Sequence, residues 1–420
     1  MKTNKFIVAL VLVTFFVVSF ITNIIGPIFP SLVTDFDISL ALAGFLPFSF
    51  FAAYGVMSIP AGILVDKHGE KPVIIGAFLL AFSGSLLFAL LPTFTMAMLS
   101  LFCIGMGMAM LQVAINPLLR VVGGEENFAF YSVSGQLLFG IAGTLSPIVF
   151  SYFVTELNAP AASGFTSVAQ SVIPSNMPWL SMYWLFAAMS IFMVVLVSKV
   201  RLPKVSRNDE EATGTFAVYK QLLSNKQVML FFIAIAAYVG SEQGIANFMS
   251  LYLQQAHGID PLTQGAGVVS QFWLMLTIGC VLGLGLVKIL DSRIVLILFS
   301  TAAIAALCFA LFGSVEVALI AFPLTGFFLS VMWSIIFSLA LNSVKAHHGS
   351  VAGILCTGII GGGLASPLVG LIIDLTGNLK SGMVVVFVLL AYICSIGFWA
   401  KPLVANKTIK LFNKRATPVS

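Results

Sequence analysis

Apolar residues run along this chain in long stretches, parted by short polar interruptions. The longest charge-free stretch extends from Pro72 to Leu119. At about 20 residues per spanning helix it holds two spans and a hairpin, with Pro92 marking the turn. The same ruler predicts twelve spans, at 6–32, 39–65, 72–91, 95–119, 128–155, 179–198, 227–254, 263–290, 294–312, 317–341, 350–375 and 381–400. Transmembrane barrels need short strands that alternate polar and apolar positions. Unbroken runs of this length are helices instead, with every backbone bond made inside the segment. The fold class expected is an all-α polytopic membrane protein.

Composition narrows the function class. Hydrophobic residues make up 60% of the 420 positions and charged residues 8%, against roughly 25% charged in a soluble domain. A water-soluble surface cannot be built from that supply, so a soluble enzyme or a nucleic-acid binder is excluded. The lipid bilayer is the implied partner. Charge placement then orients the chain. With the amino terminus inside, all Lys and Arg residues fall in inside segments except Lys380. The positive-inside rule therefore expects both termini to be cytoplasmic and the span number to be even. Lys2 and Lys5 before an apolar run resemble a signal peptide. The run is too long, lacks a small-x-small cleavage site and leads into further spans, so it is read as span 1. Cys103, Cys280, Cys308, Cys356 and Cys394 all lie in apolar runs and read as packing residues, with no metal site or cofactor expected. His347 and His348 fall in an inside loop and read as solvated.

The organisation expected is a six-helix half at 1–200, a cytoplasmic linker at 201–226, a second six-helix half at 227–400 and a cytoplasmic tail at 401–420. The linker is rich in charged and small residues, as a solvated connection requires. Within it, Phe216–Leu223 reads as a short amphipathic piece at the membrane surface. Two such halves are the plan of many secondary transporters, with the solute site between them near the bilayer midplane. A weak internal echo supports the halves. The loop after span two reads Gly62-Ile-Leu-Val-Asp66-Lys-His-Gly69-Glu-Lys71, and its counterpart reads Gly285-Leu-Val-Lys288-Ile-Leu-Asp291-Ser-Arg293. The first resembles the G-x-L-x-D-x-x-G-x-[KR] signature of the major facilitator superfamily. Gly62 lets helices approach and Gly69 permits the sharp turn. Asp66 and Arg120, at the foot of span four, are the candidate gating pair.

One ionisable residue sits deep in a span. Glu242 lies in Tyr238-Val-Gly-Ser-Glu242-Gln243-Gly-Ile-Ala-Asn247, and a carboxyl at that depth is a functional candidate. Tyr238 and Glu242 share a helical face, and Gln243 and Asn247 form a second pair about 100° further round. Gly240 and Gly244 are expected to loosen the helix locally. The amide and aromatic candidates for solute contact are Asn23, Gln112, Asn116 and Gln271, together with Trp273 and Trp333. Amides hydrogen-bond hydroxyls while aromatic faces stack on the apolar side of a sugar ring. Amides in membranes also glue helices together, so each residue alone carries little weight.

Longer segments resemble one family, the fucose–galactose–glucose:H⁺ symporters of that superfamily. They are Ile59-Pro60-Ala61-Gly62, Leu111-Gln112-Val-Ala-Ile-Asn116-Pro117, Tyr238-Val-Gly-Ser-Glu242, Gly326 to Leu339, and Gly361 to Asn378. The resemblance implies the major facilitator fold, with twelve transmembrane helices in two six-helix halves. It also implies uptake of a monosaccharide by alternating access, coupled to H⁺ or in some members Na⁺. Three positions depart from the family pattern. Gln112 stands where members typically carry Glu, Gly26 stands where fucose permeases carry an acid, and Gly279-Cys280 replaces a Gly-Arg pair. Glu242 is the carboxyl left for coupling. The reading is an inner-membrane, monomeric importer of a sugar or similar polyhydroxylated solute. A proton-driven exporter of amphipathic drugs and a transport-fold receptor stay open beside it.

Overall fold

A computed structural model describes residues 5–123, 128–158, 170–203, 216–344 and 348–403. Twelve helical spans among them are long and apolar enough to cross a bilayer. In order they are Lys5–Asp35, Leu40–Val65, Glu70–Leu90, Phe94–Gly123, Ser134–Leu157, Pro178–Lys199, Lys226–His257, Pro261–Val287, Ser292–Phe312, Val315–Leu341, Ser350–Thr376 and Leu379–Trp399. They are numbered as spans 1 to 12. The bundle end where span 1 begins and span 12 ends is called proximal, and the opposite end distal. Apolar side chains such as Phe102, Phe192, Leu298, Ile320 and Phe398 remain exposed on the outside of the bundle, as a lipid-facing surface requires.

Local chemistry sets the helix ends. Ser39 accepts from the Leu42 backbone N–H at the start of span 2, and Asn225 accepts from Gln227 and Val228 at the start of span 7. These caps satisfy backbone donors that a helix leaves unpaired at its first turn. Gly69, between spans 2 and 3, has φ +81°, a conformation that a Cβ would strain. In the corresponding loop of the second set, Asp291 caps span 9 through the Arg293 N–H at 2.8 Å and pairs with the Arg293 guanidinium at 2.9 Å. That guanidinium holds the Asp291 carboxyl below its usual range. The linker segment Phe216–Leu223 is helical.

Three spans are broken near their middles. Span 1 consists of Lys5–Thr22 and Ile25–Asp35, parted at Asn23 and Ile24. Pro27 stands four residues after Asn23. It offers no N–H to the Asn23 carbonyl and its ring crowds that turn, so the helix gives way there. Span 10 breaks at Ser330 and Val331, and span 11 at Gly358 and Ile359. Span 7 is one continuous helix, Lys226–His257. The loosening expected at Gly240 and Gly244 does not occur. Gly240 packs against spans 11 and 12, and Gly244 against Val386 of span 12. A glycine at a tight helix contact is held by its neighbours and has no freedom left to unwind.

The pairing of spans repeats with an offset of six. Span 1 packs on span 5 and span 7 on span 11, span 2 on span 4 and span 8 on span 10, and span 3 on span 6 and span 9 on span 12. Spans 1 to 6 meet spans 7 to 12 along three seams, 2 with 11, 5 with 8, and 1 with 7. Gly26 of span 1 lies so close to span 7 that a Cβ there would stand 2.4 Å from the Ala246 carbonyl oxygen. Beside it Phe29 and Phe248 pack at 4.9 Å between ring centroids. Ser151 donates to the Leu262 carbonyl and Ser270 to that of Thr144. At the distal rim the Asp374 carboxylate accepts from the backbone N–H groups of Ala41 at 2.7 Å and Leu40 at 3.2 Å. These contacts run from the middle of the bundle to its distal end and none reaches the proximal end. The bundle is closed distally.

Candidate functional site

The break in span 1, the continuous span 7 and the first turns of span 8 converge near mid-depth. They line a narrow cleft too tight to admit a water molecule. Asn23, Gln243, Asn247 and Trp273 supply its polar lining, with Thr22 and Gly26 beside them. No charged side chain is among these residues. Asn23 donates from Nδ2 to Ser19 Oγ at 2.9 Å, and Ser19 in turn donates to the Phe139 carbonyl of span 5. Asn247 donates from Nδ2 to Ser366 Oγ of span 11 at 3.2 Å. Both amides are thus aimed by a serine from within the bundle.

A second group adjoins the cleft. Tyr238 donates its hydroxyl to Glu242 Oε2 at 2.6 Å, and Gln243 donates from Nε2 to Glu242 Oε1 at 3.1 Å. The Tyr238 ring lies 6.0 Å from that of Trp333, which stacks on Phe337 at 6.1 Å. Gln243 is buried and belongs to both groups. One amide therefore connects the only carboxyl deep in the described spans to the uncharged cleft.

The other candidates lie elsewhere. Gln271 is exposed on the outer face of span 8, with Leu274, Ile278 and Val281 on the same side. It is two residues from Trp273 and so points away from the cleft. Asn116 is exposed and donates to the Gln112 carbonyl one turn back at 2.9 Å. Neither Asn116 nor Gln112 lines the cleft. Gly26 has a packing reason of its own, since the 2.4 Å approach to Ala246 leaves no space for a larger residue. Gly62 is buried near the proximal end of span 2. The Asp66 and Arg120 side chains lie outside the described ones, so the gating pair has no geometry here.

Ser19, Ser366 and Gly143 are additions to the sequence-based set. Ser19 was legible, being four residues before Asn23 on one helical face. Ser366 comes from another span, and nothing in its local sequence ties it to Asn247. Gly143 of span 5 faces the break in span 1, where a Cβ would stand 3.0 Å from Asn23 Nδ2 and 3.5 Å from Trp273 Cγ.

Comparisons with known proteins identify the family and the fold. The sequence profile of the Major Facilitator Superfamily matches residues 11–359. The glucose/galactose transporter of Brucella abortus is 26% identical over 385 residues, 90% of each chain. The L-fucose-proton symporter of Escherichia coli is 26% identical over 390 residues, 89% of this chain and 88% of its own. The crystal structure of FucP, a major facilitator transporter in the outward conformation, superposes with a TM-score of 0.65. It is 22% identical and covers 94% of this chain and 98% of its own.

Proposed function

Because the chain belongs to the Major Facilitator Superfamily, we propose that this membrane transporter imports a monosaccharide or similar neutral polyhydroxylated solute by alternating access, coupled to H⁺ at Glu242. The observation that carries the reading is the cleft itself. Its polar lining of amides and an indole, without charge, suits hydroxyl groups better than an ionic or greasy solute. The names of the relatives, transporters of glucose and galactose or of L-fucose with a proton, point the same way. A drug exporter would favour an adaptable lining of Met and Phe, and the cleft has neither.

In this reading residues 1–200 and 227–400 move as two halves about the cleft, with 201–226 as their linker. The proximal end is cytoplasmic, because Lys5, Lys67, Lys71, Lys199, Arg201, Lys220, Lys226, Arg293 and Lys401 gather there and basic residues stay inside. The membrane is then the inner one, the working unit a monomer, and the distally closed bundle the inward-facing state. The Gln243 amide supplies the coupling. While Glu242 is ionised, its Oε1 accepts from Gln243 Nε2. A proton on the carboxyl makes it a poorer acceptor and frees that N–H for the solute. Proton and solute then favour the same state, and only such differential affinity drives uphill transport.

Proteoliposomes test this. Glu242→Gln is expected to abolish accumulation of D-galactose or D-glucose under an inward proton gradient, while exchange of labelled for unlabelled sugar persists. Undiminished uphill uptake by the variant removes Glu242 from the coupling step. Wild-type vesicles that carry neither of these sugars nor L-fucose remove the sugar reading.

A further inference from the structure

Trp273 is 5% exposed and its Nε1 is buried with no hydrogen-bond partner. Everything else about the residue is firmly placed. Its ring packs edge-on to Phe272 at 5.3 Å. Its carbonyl accepts from the Thr277 hydroxyl at 2.8 Å. The Gly143 backbone leaves room for its ring edge beside Asn23. A buried indole N–H ordinarily finds an acceptor, and in a low-dielectric interior an unmet donor is costly. A water molecule is no answer at the cleft, which has no space for one in this state. Packing accounts for the bulk of the bicyclic ring and leaves the unmet N–H unexplained.

We infer that Trp273 Nε1 is the donor held for a hydroxyl oxygen of the transported solute, and that Trp273 is a specificity-determining residue through this N–H and not through its ring face. The inference rests on the cleft being the solute site. The acceptor arrives as the cleft widens, between the Asn23 amide of span 1 and the Asn247 amide of span 7. A site that leaves a buried donor unmet discriminates steeply against any solute lacking the matching oxygen. Solute binding then satisfies a group that the empty cleft cannot, which favours closure around a correct solute over an empty one.

The test uses the purified full-length protein and two variants. Trp273→Phe removes the N–H and keeps a ring; Phe272→Leu loosens the same packing and keeps the N–H. Binding is titrated with D-glucose, D-galactose and L-fucose, and with the monodeoxy series of whichever binds. Trp273→Phe is expected to bind the parent sugar about tenfold more weakly, a loss of about 1.4 kcal/mol. One deoxy analogue, lacking the oxygen that is read, binds wild type and Trp273→Phe equally. Phe272→Leu weakens every analogue by a common factor. Trp273→Phe that loses nothing, or loses the same factor across the series, overturns the assignment and leaves the sugar reading standing. A wild type that binds none of these sugars overturns the sugar reading and this assignment together.

Discussion

The two ends of the bundle are built differently. From mid-depth to the distal end the two sets of spans are pinned by three kinds of contact: backbone against backbone at Gly26 and Ala246, ring against ring at Phe29 and Phe248, and carboxylate against helix end at Asp374. At the proximal end the basic residues gather, and none of these three contacts lies there. The distal contacts are short in reach and each depends on close approach. In the proposed rocking of the two halves they are made or lost as a set, which is how packed interfaces behave as switches.

Three substitutions probe that contrast, in falling order of effect. Gly26→Val places methyl groups where the Ala246 carbonyl already stands, 2.4 Å from an added Cβ. Overpacking of this kind costs typically 1–3 kcal/mol. The expected result is loss of most uptake, with a lowered melting temperature, because the distally closed state can no longer form. Full uptake by this variant shows that the close approach at Gly26 is dispensable.

Asp374→Asn is the milder probe. It keeps an acceptor at the start of span 2 and removes the charge that accepts from the Leu40 and Ala41 N–H groups. Charge at an exposed helix N-terminus is worth about 0.3–1 kcal/mol. Labelling from the distal side of a cysteine placed at Val269, in a background without the native cysteines, is expected to speed up about threefold. An unchanged rate means that Asp374 caps span 2 without biasing the switch.

Asp291→Ala is the control at the unpinned end. Asp291 caps span 9 and pairs with Arg293 within the same span, so no shift in distal labelling is expected and the loss of a cap costs about 1 kcal/mol of stability. Its carboxyl is held below the usual range by Arg293. The contribution is therefore present at neutral pH, above the unfolded value of about 3.9, and fades as pH falls through the lowered folded value. Melting temperatures of wild type and variant are expected to differ at pH 7 and to converge towards pH 3.

Much of the site was legible before any packing was known. Tyr238 and Glu242, four apart in span 7, form the hydrogen bond that their shared face implies. Asn23, Gln243, Asn247 and Trp273 were each single candidates, and folding brings them to one cleft. Gln271 and Trp273 show what the sequence leaves undecided. Both are polar or aromatic residues in span 8, yet one faces outward and the other inward. A hydrophobic segment that is apolar all round gives no phase by which to choose its inner face. Gly240 and Gly244 illustrate the same limit, since a glycine that unwinds a helix and one that seats it against a neighbour look alike in one dimension. The Ser366 partner of Asn247 comes from 119 positions away.

The twelve spans and their alternating directions followed from the sequence alone. Hydrocarbon offers no partner for an exposed peptide group, and basic side chains resist crossing it, so length, hydropathy and charge are nearly sufficient. The side chains that meet, and the end that is closed, were decided only by the tertiary structure. Two packings of one set of spans differ by a few kcal/mol, spread over contacts between residues far apart in the chain. Residues such as Gly26 and Asp374 enter that balance only once another span stands against them.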